Sequence, residues 1–268
     1  TRYALVTEEE MEVLRGIRDD QPEGSVRTRP GEEEKDDELS LFGVSYRVGE
    51  GRGHVHEMND ADLEEILQAI RHAKRNSDFV VATIHAHDPG NWSDEPPNFL
   101  VDLAHRAIDA GADEFVGHGP HQLRGIEIYR GKPIFYSLAN FVFQVELQEP
   151  VARDLYEGFE IDPDTMPDSE FNRRWLEIGF DDEIWYESVL AESRFAGGQV
   201  REIRLHPVEL GYGLRGGNRG VPRTAPPEQA REILERLRGL SRPFGTEISI
   251  EDGVGVIRPA VVATGASR

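Results

Sequence analysis

Residues 79–88 have the sequence FVVATIHAHD, and residues 114–121 have the sequence EFVGHGPH. The first stretch begins with a near-continuous apolar and β-branched run, which favours a strand buried on both faces, and the second begins with a short strand at residues 114–116. Between them, residues 100–108 carry apolar side chains at helical spacing, and Gly111 follows as a good helix C-cap. A strand, a helix and a second strand in this order predict two parallel strands of an α/β sheet.

A pair of histidines follows each of these strands. Ligands bind open α/β sheets at the carboxyl ends of the strands, and neutral imidazole is the commonest metal-binding side chain. Residues two apart in an extended chain share a face, and glycines allow the second loop to turn tightly. We therefore predict a metal or phosphate site here. Its candidate residues are His85, His87, His118 and His121, with Asp88 nearby.

The remaining histidines have simpler interpretations, because histidine also serves in hydrogen bonds and helix caps. His54 and His56 repeat the spacing of the first pair, but flanking glycines and acidic residues favour an exposed loop. His72 and His105 lie in helical patterns, where a surface or packing role is expected. His206 lies in a hairpin pattern and is expected to be structural.

The chain is strongly acidic. It has 268 residues, 51 acidic and 30 basic side chains, a formal net charge of −21 and no cysteine. This charge favours solubility and argues against a nucleic-acid partner. Few lysines among many arginines suit either a high-salt environment or, more simply, a solvated surface from a GC-rich genome. The absence of cysteine excludes disulfides and thiolate metal sites, and no stretch is long and apolar enough to span a membrane.

Turn and periodicity signals outline the rest of the chain. We predict helices near residues 8–17, 60–70 and 230–237, and a strand near residues 41–48. Hairpins are predicted at residues 126–136, 187–208 and 247–258, turning at Arg130-Gly131, Gly197-Gly198 and Asp252-Gly253. Residues 19–38 read as an acidic loop, and residues 145–182 as an acidic, irregular insertion.

A longer series of motifs resembles one protein family. The series runs from Ile108-Asp109-Ala110-Gly111-Ala112-Asp113 through Gly117-His118-Gly119-Pro120-His121, Gly125-Ile126-Glu127-Ile128-Tyr129 and Gly131-Lys132-Pro133-Ile134-Phe135-Tyr136-Ser137-Leu138 to Asn140-Phe141. Over roughly residues 60–145 it is similar to the CapA family, named for poly-γ-glutamate capsule synthesis. That family has a calcineurin-like metallophosphoesterase fold.

The resemblance implies an α/β fold in which a sandwich of β-sheets is flanked by helices, with divalent metal ions such as Mn, Zn or Fe at the strand ends. It assigns His85, His118 and His121 as metal ligands. It gives site-shaping roles to Glu127, which would orient a histidine or simply face solvent, and to Asn140, which would hold a turn. Ala139 stands where relatives usually have glycine.

The early ligands of the superfamily are an aspartate after the first strand and a later Asn-His pair. Nothing in residues 1–60 matches them. We therefore expect residues 1–268 to be the C-terminal portion of one CapA-like domain, incomplete at its N-terminus, with an incomplete set of metal ligands. Localisation stays open: extracellular or membrane-associated if a preceding segment carries a signal or anchor, otherwise cytoplasmic.

Two functions follow as hypotheses. In the first, the protein is a metal-dependent hydrolase or phosphoesterase in which His87 or His121 acts as general acid or base. Its substrate class, by resemblance, is poly-γ-glutamate, a related polymer or a phosphoester. In the second, it is a non-catalytic factor that assembles or handles the polymer with other capsule-synthesis proteins. Arg215, Arg219 and Arg223 would then offer a basic patch, unless they simply belong to a flexible loop.

Overall fold

The structure is a computed structural model that describes residues 1–22 and 35–259. Residues 23–34, which form most of the predicted acidic loop at 19–38, lie outside the described residues. The chain divides into two compact units. Unit 1 comprises residues 1–69 and 97–103, and unit 2 comprises residues 70–96 and 104–268. We describe each unit by itself, and the domain organisation predicted from the sequence stays a prediction.

Six α-helices and thirteen β-strands are the regular elements of the described residues. In chain order they are β1 (Arg2–Val6), α1 (Glu8–Asp19), β2 (Glu38–Leu41), β3 (Val44–Val48), β4 (Gly53–His56), α2 (Asp60–Asn76), β5 (Val81–His85), α3 (Asn98–Asp109), β6 (Glu114–His118), β7 (Ile126–Tyr129), β8 (Lys132–Phe135), α4 (Arg153–Gly158), α5 (Asp168–Gly179), β9 (Glu187–Ala196), β10 (Gln199–Glu209), β11 (Arg223–Thr224), α6 (Pro227–Ser241), β12 (Ser249–Glu251) and β13 (Val254–Ile257).

Unit 1 contains a four-stranded sheet in the order β2-β3-β1-β4. Helix α1, which was predicted near residues 8–17, begins at a capping box: the Thr7 hydroxyl accepts from the Glu10 amide, and the Glu10 carboxylate accepts from the Thr7 amide. Its Met11 packs into a small core with Leu39 and Leu41. The expectation of a loop at residues 54–56 was wrong, because these residues pair with β1 as strand β4.

The first sheet of unit 2 has the order β5-β6-β8-β7. Strands β5 and β6 are parallel, as the strand–helix–strand pattern predicted, and β7 and β8 form the predicted hairpin. The prediction that β5 is covered on both faces was wrong. Among the described residues β5 is an edge strand, and Val81 in it is 50% exposed. Apolar composition could not reveal this, because exposure depends on which neighbours the strand has.

The second sheet of unit 2 has the order β11-β10-β13-β12, with β9 paired to β10 as the predicted hairpin. Its inner face shares one core with the first sheet and with α6. This core contains Phe135 from β8, Ile203 and Leu205 from β10, and Ile233 and Leu234 from α6. Two sheets packed together with flanking helices confirm the predicted α/β fold class, which is consistent with a metallophosphoesterase-like fold.

The stretch at residues 145–182 differs from the irregular insertion that we predicted. It contains helices α4 and α5. Leu176 of α5 packs with Phe143, Phe180 and Tyr186 in a second core of unit 2. No helix in residues 1–22 and 35–259 is long and apolar enough to cross a membrane.

Candidate metal site

The carboxyl ends of β5 and β6 lie side by side in unit 2. His85 and His118 are direct partners in the parallel register, and the Ala86 amide donates to the His118 carbonyl at 2.8 Å. Gly119 has φ +128°, and a Cβ there would fall on the backbone of Ala86. The absence of a side chain at Gly119 therefore lets the two histidine loops touch. The predicted meeting of both strand ends at one edge of the sheet is confirmed.

Three imidazole rings form a chain at this edge. The Nε2 atoms of His85 and His87 are 3.1 Å apart, and their ring centroids are 5.0 Å apart. The ring of His87 lies 5.2 Å from that of His121. Two nitrogens bound to one tetrahedral zinc ion, each at about 2.0–2.1 Å, are about 3.3 Å apart. The spacing of the His85 and His87 nitrogens therefore fits two ligands of one cation.

Two asparagine side chains hydrogen-bond the Nδ1 atoms of two of these rings. Nδ1 of His87 lies 2.8 Å from Oδ1 of Asn91, and Nδ1 of His121 lies 2.8 Å from Oδ1 of Asn140. Asn140 also donates through Nδ2 to the carbonyls of His121 and Trp185. It thus makes the side-chain-to-backbone bonds expected of a residue that holds a turn. Asn91 was not among the site residues that we predicted.

The two histidines of the second loop are half-buried. His121 has φ +60° and packs edge-on against Phe180, with Phe143 also in contact. Burial lowers the pKa of His121, and His87 and His85 lower it further, while Asn140 opposes the shift. Burial and then His85 lower the pKa of His118. Both imidazoles therefore favour the neutral form near pH 7, and neutral imidazole is the form that binds a metal.

The loop that carries His87 is fastened by residues that follow His121 in the chain. Gln122 donates to the Asn91 carbonyl, and Arg124 donates to the carbonyls of Asp88 at 2.8 Å and Ser93 at 3.1 Å. Arg124 is fully buried. Burial lowers its pKa to about 10, while Asp94 and Asp88 act in the opposite direction, so the guanidinium is still charged at neutral pH. Sequence reasoning missed Arg124 because nothing local distinguishes it from a surface arginine.

The other predicted site residues lie in different surroundings. Asp88 follows His87, and its backbone carbonyl accepts the Arg124 bond. Glu127 does contact a histidine, but this is His105 of α3, whose Nε2 lies 2.9 Å from both carboxylate oxygens. Tyr136 also donates to Glu127. Glu127 lies on β7, at the opposite edge of the sheet from β5, and His105 has the packing role expected of it.

The histidine cluster does not form a complete metal site by itself. Within the described ranges, 1–22 and 35–259, no group of three or more His, Asp, Glu or Cys side chains is arranged to hold a metal ion. Catalytic zinc sites use three protein ligands. The His85 and His87 nitrogens therefore fit two positions of such a shell, and the roles predicted for His118 and His121 as ligands stay predictions.

Comparisons with known proteins agree with the motif series. The family model described as bacterial capsule synthesis protein PGA_cap matches residues 15–145. The protein y4sH of Sinorhizobium fredii is 47% identical over 96% of this chain and 57% of its own length. The PGA biosynthesis protein CapA of Bacillus subtilis is 45% identical over 39% of this chain and 28% of its own length.

The capsule biosynthesis protein CapA of Bacillus anthracis is 40% identical over 31% of this chain and 20% of its own length. The chain thus spans little more than half of the length of the first relatives. The matched region contains both histidine loops and Asn140. Residues 15–145 therefore match the family of bacterial capsule synthesis proteins, and the chain is similar to proteins named CapA.

Proposed function

We propose that this chain carries the histidine part of a divalent-metal site in a protein of capsule or poly-γ-glutamate synthesis. The complete protein would be a metal-dependent hydrolase or phosphoesterase, with Mn, Zn or Fe as cofactor. Its substrate would be poly-γ-glutamate, a related polymer or a phosphoester. The observation that supports this best is the 3.1 Å approach of the His85 and His87 nitrogens beside His121.

The chemistry of this cluster suits hydrolysis. A bound divalent cation would lower the pKa of a water molecule and polarise the oxygen of a phosphoryl or carbonyl group. His85 and His87 would hold the cation. His121, held neutral by burial, would accept a proton from the attacking water through Nε2, because its Nδ1 is engaged by Asn140. His118 would be a further ligand next to His85.

One observation favours the second candidate, a non-catalytic polymer-handling factor. The described residues lack a three-ligand group, and affinity falls steeply when a shell is incomplete. The basic patch predicted for this role is partly occupied by internal contacts, however. Arg219 is paired with Glu146 at 3.0 Å, and Arg223 bonds Glu209 and nearby carbonyls. Two of the three arginines are therefore already engaged within the protein.

Metal titration separates these candidates. The 268-residue chain would be titrated with Zn²⁺ and Mn²⁺ by calorimetry, together with a His85→Ala/His87→Ala variant. We expect the double substitution to weaken binding by at least about tenfold, since it removes two ligands. His72→Ala is the matched control, because His72 is exposed on α2 and its Nδ1 lies 3.4 Å from the Arg75 guanidinium, outside the histidine cluster.

Hydrolysis would then be measured with bis(4-nitrophenyl) phosphate and with poly-γ-glutamate in the presence of the bound metal. Turnover that disappears in His121→Ala supports the enzyme. Metal binding without turnover of either substrate would instead support the non-catalytic factor. Equal metal binding by the wild type and the double variant would contradict the assignment of the site itself.

A further inference from the structure

The hydrogen bonds of Asn140 fix the position of the proton on His121. Nδ2 of Asn140 donates to two backbone carbonyls, at 3.2 Å to His121 and 2.9 Å to Trp185. This defines which end of the amide is the oxygen, and that oxygen faces Nδ1 of His121 at 2.8 Å. An amide oxygen can only accept a hydrogen bond. Nδ1 of His121 must therefore carry the proton, and Nε2 has a free lone pair.

Asn91 has the same relation to His87. Its Oδ1 lies 2.8 Å from Nδ1 of His87, and an amide in this orientation requires the proton on that nitrogen. The backbone of Asn91 is itself held, because its carbonyl accepts a bond from Gln122. Gln122 directly follows His121 in the chain. The two asparagines are thus presented from two different loops, yet each fixes Nδ1 of its own histidine.

The unprotonated Nε2 of His87 determines which nitrogen of His85 carries the proton. The two Nε2 atoms are 3.1 Å apart, and a hydrogen bond between neutral rings needs one donor and one acceptor. Because His87 accepts, His85 donates from Nε2 in the metal-free protein. If a cation binds the lone pairs of both Nε2 atoms, the proton of His85 has to move to its own Nδ1. His87 and His121 need no such change.

We infer that Asn91 and Asn140 are matched positioning residues that hold His87 and His121 in the Nδ1–H tautomer and keep both Nε2 atoms unprotonated, so that their lone pairs can bind a divalent cation or a water proton. This rests on the proposed function in that it assigns a purpose to the lone pairs. The proton positions themselves do not depend on it. A hydrogen-bond acceptor on the second ring nitrogen, such as a carboxylate or a backbone carbonyl, is the usual way of orienting a metal-binding histidine.

The test is the tautomer of each ring in the metal-free chain. Histidine-labelled protein at about pH 8.5, where ordinary imidazoles are neutral, would be studied by ¹⁵N NMR of the ring nitrogens. We expect Nδ1–H for His87 and His121, and Nε2–H for His85. In water the neutral side chain prefers Nε2–H, so two rings in the opposite form are not a default result. Nε2–H at His87 and His121 would overturn the inference.

Substitutions at Asn91 provide a second test of the positioning role. Asn91→Leu removes the acceptor oxygen, so we expect His87 to shift toward Nε2–H and Zn²⁺ affinity to fall about 10- to 100-fold. Asn91→Asp keeps an acceptor oxygen and should retain the Nδ1–H form. Asn76→Leu is the control, because Asn76 bonds the backbone of His72 and not its ring. An unchanged His87 tautomer in Asn91→Leu, with the other rings unperturbed, would contradict the positioning role.

Addition of Zn²⁺ separates this inference from the proposed function. A move of the His85 proton from Nε2 to Nδ1, with His87 and His121 unchanged, supports both. If the three rings have the expected tautomers but Zn²⁺ changes none of them, the positioning role stands and the metal site fails. If Zn²⁺ binds but His87 and His121 change tautomer, the metal site stands and the positioning role is overturned.

Discussion

Gly119 shows how one residue determines whether the two histidine loops can meet. Its φ of +128° is strained for any side chain, and a Cβ would collide with the Ala86 backbone. We expect Gly119→Ala to lower the free energy of unfolding by at least about 2 kcal/mol. Urea denaturation followed by circular dichroism measures this loss.

Gly239→Ala is the control for that substitution. Gly239 lies in α6 with nothing within 4 Å of its added Cβ. Alanine in a helix should stabilise the protein by about 0.5–1 kcal/mol relative to glycine. Equal effects of the two substitutions would contradict the close approach of the loops.

Ala139 is a non-glycine residue in the left-handed region, with φ +62°. A left-handed conformation costs an alanine roughly 1–2 kcal/mol, and part of this is offset because alanine restricts the unfolded chain. We expect Ala139→Gly to raise the free energy of unfolding by about 0.5–1 kcal/mol, as measured by urea denaturation. A loss of stability would show that the methyl group makes packing contacts that outweigh the strain.

Asp113 is a buried carboxylate that binds two of the three lysines in the chain. Lys132 and Lys74 donate to it at 2.5 and 2.8 Å, and the Val80 amide donates at 2.9 Å. Burial alone would raise the pKa of Asp113, but these three hydrogen bonds outweigh burial and lower it below its ordinary value. The ionised form is therefore stabilised in the folded protein.

This lowered pKa gives stability a definite pH dependence. Its contribution is present above the unfolded pKa of about 3.9 and is lost as pH falls through the lower folded pKa. We expect Asp113→Asn to cost about 2–3 kcal/mol at pH 7, and the difference from the wild type to shrink below about pH 4. Thermal melts from pH 7 to pH 3 measure it. Asp109→Asn, which loses an exposed ion pair with Arg130 and weakens a 3.4 Å hydrogen bond from the Tyr129 hydroxyl, should cost under about 1 kcal/mol.

At the scale of elements, the sequence predicted those structures that neighbouring residues determine, such as hairpin turns. The three hairpins were found because each turn has two residues with positive φ, as in Arg130-Gly131 and Gly197-Gly198, and such turns have a recognisable composition. Helix α5 was missed because prolines and acidic residues around it suggested a loop, although Phe171 and Leu176 bury one of its faces. The exposure of β5 was missed because it depends on partners distant in the chain.

The residues of the candidate site likewise separate into those that the sequence revealed and those that it did not. Its four histidines were identified because strand ends and histidine spacing are visible in the sequence. Asn91 and Arg124 were not, since their roles depend on the path of the loop at residues 88–93 and on bonds between residues up to 36 positions apart. Glu127 was given a site-shaping role from its motif alone, and only the sheet order places it at the far edge.

Arg124 connects the two histidine loops, so its replacement should make the loop at residues 88–93 more mobile. Arg124→Lys keeps the charge but loses the fork that reaches the Asp88 and Ser93 carbonyls. We expect a loss of about 2–4 kcal/mol in stability and faster hydrogen exchange at residues 88–93. Arg130→Lys, at an exposed position, is the control. Unchanged exchange in the loop would refute the fastening role of the guanidinium.

At the scale of the whole molecule, the net charge of −21 opposes the folded state through self-repulsion. Salt screens this repulsion, since the Debye length falls from about 30 Å at 0.01 M to about 8 Å at 0.15 M. We expect Tm to rise by several degrees between 10 and 200 mM NaCl, as measured by calorimetry at pH 7. Equimolar sucrose in place of salt is the control. A falling Tm would mean that the local ion pairs matter more than the overall repulsion.

The open edge of the first sheet in unit 2 has a thermodynamic consequence. Among the described residues nothing pairs with the outer side of β5, and β5 ends at His85. Any strand that joined this edge in the parallel sense would deliver its own carboxyl end to the corner where His85 and His87 lie. Strand addition and cation binding would then be reciprocally coupled, so that each raises the affinity for the other by the same factor.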